Sequence, residues 1–157
     1  MKLNSSIIIL SLIVVIPAAA AVFYQVNAGQ KKHHPLSTTE VVINQQKFRA
    51  EVAETRGDIK QGLSGRNSLP ESNGMLFVFD KPGYYPFWMR DMKFPLDMIF
   101  ISQNKIVAVY PNVPPMKPNE NGPWYGGDTK ADRVLEINAG LAQKYFFKKG
   151  DNVKVNL

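Results

Sequence analysis

The feature that most constrains this chain is its punctuation after Val41, where short apolar or alternating runs are separated by tight polar breaks. Phe48, Ala50 and Val52 alternate with Lys47, Arg49 and Glu51, the period of a half-buried strand, and the break at Asn44-Gln45-Gln46 makes this strand the second arm of a hairpin. Met75 to Phe79 is a continuous apolar run between Asn73-Gly74 and the turn Asp80-Lys81-Pro82-Gly83, as expected of a central strand covered on both faces. Further strands are expected at Pro86 to Met89, Leu96 to Ile101, Ile106 to Tyr110, Arg133 to Ile137 and Val153 to Leu157. Two short helices interrupt them. One is capped by Thr55, has Asp58 in its first turn and can end at Gly62; the other runs from Ala139 to Phe147 with Leu141 and Tyr145 in register. The expected fold class is α+β and mainly β: a small antiparallel, barrel-like sheet with two short helices.

Residues 1–30 are of a different kind. No charge occurs between Leu3 and Gln30, and the stretch from Ile7 to Tyr24 is apolar apart from Ser11 and Pro17. With Lys2 in front and small residues at Ala18 to Ala21, this reads as a signal peptide; it is also long enough for an uncleaved N-terminal membrane anchor. Either reading places the following domain outside the cytoplasm, exported or membrane-anchored. Residues 31–40 are polar and aperiodic, a linker, and 41–157 form a single domain. With no cysteine in the chain, disulfide scaffolds, thiolate metal sites and cysteine nucleophiles are excluded.

The succession Gly62-Leu63, Arg66, Leu69-Pro70, Gly74 to Phe79, Phe87-Trp88-Met89, Pro95-Leu96-Asp97 and Leu135 to Gly140 resembles the domain of unknown function 192 family. The resemblance runs from about Val41 to Val155. It implies a single small, mainly β domain of barrel-like character, often behind a signal or lipid-anchor segment and without an established activity. The family's usual Gly-Leu-Met is here Gly62-Leu63-Ser64, and its Trp-Met-Lys-Asn-Thr is here Trp88-Met89-Arg90-Asp91-Met92. Both departures fall in the expected surface site.

Eight of the fifteen aromatic residues after the leader lie between Phe77 and Phe100, which points to more than core filling there. Phe77, Phe79 and Phe100 are assigned to the core. Trp88 and Trp124, the latter in a long Pro/Gly-rich loop from Pro111 to Thr129, are candidates for an aromatic wall against a sugar or similar ring. The candidate ligand-binding set is Arg66, Trp88, Arg90, Asp97, Trp124 and Asp128, converging on one cleft. A structural role competes for Asp97, which is well placed to accept backbone N–H groups of a turn.

The function expected on these grounds is an extracytoplasmic binding or accessory module for a carbohydrate or cell-envelope ligand, more a binding module than an enzyme. The alternative is a small extracytoplasmic hydrolase using Asp97 and Glu136 as paired carboxylates; both histidines lie outside the domain, in the linker. No catalytic residue, metal or cofactor is assigned. His33 and His34 are adjacent and lack a third ligand, and thioether ligation of monovalent copper by Met89, Met92 and Met98 conflicts with strand alternation, which separates Met89 from Met92. A net charge of +6 suits anionic lipid or wall polymer rather than nucleic acid, because no basic stripe marks the central segment. The membrane is a partner through the N-terminal segment alone.

Overall fold

The computed structural model describes residues 35–156, so the leader and the first part of the linker lie outside the described residues. Seven strands and two short helices follow in the order β1 (Thr38–Ile43), β2 (Gln46–Ala53), α1 (Arg56–Gln61), β3 (Asn73–Tyr84), β4 (Leu96–Ser102), β5 (Lys105–Val113), β6 (Lys130–Asn138), α2 (Leu141–Lys144) and β7 (Val153–Val155). They build one sheet with strand order β5-β4-β6-β3-β2-β1-β7. Its two ends approach each other. Lys105 bridges to Asn152, the Ile106 N–H donates to the Asp151 carbonyl at 2.9 Å, and the Val153 N–H donates to the Asn104 carbonyl at 2.8 Å. The sheet is therefore a curled half-barrel, pinned at one end.

The local causes are visible in the turns. β1 and β2 meet through Asn44 and Gln45, both left-handed (φ 47° and 70°), and β4 and β5 through Gln103 and Asn104 (φ 49° and 62°). Two consecutive left-handed residues give the turn whose twist matches that of the strands it joins. α1 is capped by Thr55, whose hydroxyl accepts from the Asp58 N–H at 3.2 Å.

Several expectations need correction. The sheet is mixed: β2 and β3 are parallel, Arg49 to Ala53 lying beside Asn73 to Phe77. A parallel pair cannot be closed by a tight turn, and α1 with the loop after it makes the crossover. β1 begins at Thr38, inside the segment read as linker, because Thr38 to Glu40 pair with Arg49 to Glu51. The second helix contracts to Leu141–Lys144, since Phe146 is left-handed (φ 57°) and stops it. Pro86 to Met89 is not a strand; Phe87 alone pairs, and with a loop residue, Tyr125. The expected leader is not among these corrections, since it lies outside the described residues; among the described ones, no helix is long and apolar enough to cross a membrane.

Both faces of the sheet are covered, and strand alternation sorts side chains between them. On one face Val41, Ile43, Phe48, Leu76, Ile99, Leu135 and Ile137 pack with Leu141 and Ala142 of α2. On the other, Met75, Phe77, Met98, Phe100 and Val134 are covered by Leu63, Leu69, Phe87 and Met89 from the connecting segments. This explains why β4 is buried at every position from Leu96 to Ile101, with no polar face to water.

Candidate ligand-binding site

Two irregular segments, 85–95 and 111–129, meet over the second face. Phe87 and Tyr125 exchange both backbone hydrogen bonds, at 2.8 and 2.9 Å. Beside Tyr125, Gly126 is left-handed (φ 79°), and a Cβ at this position would overlap the Phe100 ring, so only glycine lets the loop lie this close to the core. The Tyr110 hydroxyl donates to the Asp128 carboxylate at 3.1 Å, and Thr129 does the same. These hydrogen bonds hold the Asp128 carboxyl below its ordinary range. The loop is thus fastened to the sheet, although it is long.

Adjacent to the Phe87–Tyr125 pair, Trp88 and Trp124 stack on one another, with ring centroids 4.5 Å apart and planes 18° apart. The Arg90 guanidinium lies 3.7 Å from the centroid of the Trp88 ring, and its Nη2 donates to Asn121 Oδ1 at 3.3 Å. Trp124 remains 51% exposed, an unusual amount for a tryptophan. Guanidinium and two indoles therefore form one layered surface, each group limiting the rotamers of the next.

Behind Arg90 the same two segments line a groove of about 900 Å³, with Asp91, Met92 and Lys93 on one side and Met116 to Asn121 on the other. Its floor is tied to the loop after α1: the Ser64 hydroxyl donates to the Arg90 carbonyl at 3.1 Å, and the Gly65 N–H to the Asp91 carbonyl at 2.9 Å. Asp91 is left-handed (φ 58°). Ser64, a departure from the usual family pattern, thus supports the residue that carries the other departure, Arg90.

Of the six residues expected to converge, Trp88, Arg90 and Trp124 do so. Arg66 does not join them: its guanidinium makes a two-pronged ion pair with Glu51, at 2.5 and 2.8 Å, on the β2 side. Donating to the Glu51 carboxylate, with its negative charge, raises the Arg66 pKa against the opposing effect of burial. Asp97 is fully buried on the first face, accepting the N–H groups of Asn112 (2.7 Å), Gly140 (3.1 Å) and Ala142 (2.7 Å). It is a clamp joining β4, β5 and the start of α2. Asp128 anchors the loop. Glu136 is buried on the opposite face from Asp97, because Asp97 pairs with Ile137 while Glu136 sits beside Met98. The groove residues that sequence reasoning missed are Lys93, Lys117 and Asn121; for Lys117 and Asn121 the Pro/Gly-rich composition of their loop was the signal available.

A mixed, half-barrel β domain with a stacked tryptophan pair on its covering loops is the class this geometry defines. The profile of the DUF192 family, described as uncharacterized ACR, matches residues 39–155, and the chain belongs to that family. The chain is similar to a crystal structure of a protein of unknown function from Novosphingobium aromaticivorans DSM 12444, with 32% identity and a TM-score of 0.68 over 77% of this chain and 89% of that one. It also shares its fold with a protein from Sinorhizobium meliloti 1021 described as a putative transcription regulator, at 24% identity and a TM-score of 0.72 over 78% of this chain and 97% of that one. No curated protein matches the chain.

Proposed function

We propose that this chain is an extracytoplasmic binding or accessory module, tethered or exported through its N-terminal segment, whose ligand is a carbohydrate or another cell-envelope component. The observation that carries the reading is the exposed stack of Trp124 on Trp88 with Arg90 against it. Flat aromatic faces take the C–H surfaces of sugar rings, and a guanidinium beside them supplies directional donors for hydroxyl or anionic groups. Sites of this kind need few polar groups, provided they are held in place, and Asn121 and the Trp88 ring hold Arg90.

The hydrolase alternative requires two carboxylates facing one substrate. Asp97 and Glu136 lie on opposite faces of the sheet, and Asp97 is fully engaged by three backbone amides. A glycan array together with a thermal-shift screen tests the binding reading. A ligand raises the melting temperature by mass action, and Trp124→Ala abolishes that rise if the stack is the contact surface. A ligand whose shift survives Trp124→Ala binds elsewhere and overturns the assignment.

A further inference from the structure

All five methionines after Met1 belong to one face of the sheet: Met75, Met89 and Met98 in its buried core, Met92 and Met116 packed against it. Strand alternation would have separated Met89 from Met92, but residues 85–95 are irregular, and both side chains turn to the same cluster. The Met92 and Met116 N–H groups both donate to the Met89 carbonyl, at 3.4 and 3.1 Å, so three of the five are gathered at one point of the covering segments. Met92 and Met116 also line the open groove beside Arg90.

The other two flank a carboxylate. Glu136 on β6 lies directly opposite Met75 on β3 and directly opposite Met98 on β4, so the three side chains form a row across adjacent strands on one face. Cross-strand neighbours stand about 4.5–5.5 Å apart, close enough for all three to reach one small occupant. Met75 and Met98 are fully buried, and Glu136 is 5% exposed. Among the described residues its carboxyl has no hydrogen-bond or ion-pair partner, an arrangement that burial alone makes costly. It is also not sealed: no side-chain oxygen or nitrogen of the described residues is both fully enclosed and unpartnered.

We propose that Met75, Glu136 and Met98 form a binding site for a soft monovalent metal ion, Cu(I) in the first instance, with Met89, Met92 and Met116 packed in the same cluster. Thioethers are soft ligands that select Cu(I) over Zn(II) or Mg(II), and two of them, from the strands on either side of β6, supply the coordinating sulfur. The carboxylate supplies the compensating negative charge, so that ion and site together bury no net charge. Any proton held on the Glu136 carboxyl is released to solvent when the ion binds.

The test uses purified full-length protein titrated with Ag(I), the redox-inert analogue, and with Cu(I) under reducing, anaerobic conditions against a chromophoric Cu(I) chelator. One equivalent is expected to bind, with Zn(II) not competing. Met75→Leu with Met98→Leu conserves volume and keeps the fold, and this pair, like Glu136→Gln, is expected to weaken binding at least tenfold; near-ultraviolet circular dichroism verifies that packing is retained. X-ray absorption at the copper edge is expected to show sulfur scatterers. Absence of a stoichiometric site in the wild-type protein, or binding unchanged in the Met75/Met98 and Glu136 variants, overturns the proposal.

Discussion

Trp88 and Trp124 stack at 4.5 Å although they come from different loops, because the residues next to them, Phe87 and Tyr125, are locked together by a pair of backbone hydrogen bonds. The inner pair turns its rings toward the core and the outer pair forms the surface. Fold and candidate site therefore separate at a single residue step in each segment, and substitutions on either side of that step have different consequences.

Phe77 is buried against Phe87, with ring centroids 4.9 Å apart, so Phe77→Ala is expected to cost about 3–5 kcal/mol of stability. Trp124→Ala removes one exposed aromatic stack and is expected to cost about 0.5–1.5 kcal/mol. Urea denaturation of both variants measures the difference. Equal losses would make the tryptophan stack part of the scaffold.

Asp97→Ala leaves three backbone N–H groups without their acceptor, buried at Ala142 and partly buried at Asn112 and Gly140. A loss on the order of 3–5 kcal/mol is expected, since hydrogen bonds to a charged group contribute about 1.5–3 kcal/mol each and are only partly replaced by water. Chemical denaturation reads it out. A variant within about 1 kcal/mol of wild type would mean that the clamp does not hold β5 and α2.

Gly126→Ala is expected to destabilise more than its size suggests. Its φ of 79° disfavours any side chain, and the added methyl meets the Phe100 ring. A fall in melting temperature, together with increased hydrogen exchange at Tyr125, is the expected signature of a lifted loop.

Glu136 gives the fold a pH dependence whose sign is fixed. Its folded pKa, pushed up to about 8 by burial, exceeds the ordinary carboxylate value, so the folded state holds its proton more tightly than the unfolded chain. Its contribution to stability is full below the ordinary carboxylate range and is lost as pH rises toward 8. The loss is on the order of a few kcal/mol. Glu136→Gln is expected to flatten that decline when stability is measured across pH 5 to 8, and an unchanged slope would place the titration elsewhere.

Much of this architecture can be read from local pattern. The turns at Asn44-Gln45 and Gln103-Asn104, the strand through Met75 to Phe79, buried as far as Phe77, and the Thr55 cap are each specified within a few residues. The parallel pairing of β2 with β3 is not, because it depends on where the crossover through α1 docks, a non-local outcome. Trp88 and Trp124 could be singled out by their placement in an aromatic-rich segment and a Pro/Gly-rich loop. Arg66 and Asp97 look equally suited to a ligand in sequence, yet Glu51 claims one and three backbone amides claim the other. Charge at a strand end says nothing about which partner arrives there. Strand alternation misassigned Met89 and Met92 for the same reason: it presumes a regularity that Pro86 and the Phe87–Tyr125 pair remove.

The central claim, that the Trp88–Trp124–Arg90 surface contacts a ligand, is tested most directly by intrinsic fluorescence. The chain has only two tryptophans, and both lie in the stack, so its tryptophan emission reports on that surface alone. Titration with soluble cell-envelope glycan fragments and with neutral oligosaccharides is expected to give a saturable shift for at least one of them. Arg90→Ala should weaken that shift tenfold or more while leaving the melting temperature of the free protein within about 2 °C of wild type, as expected for a surface change. Emission that stays constant across both series, or a shift that Arg90→Ala leaves intact, would contradict the account.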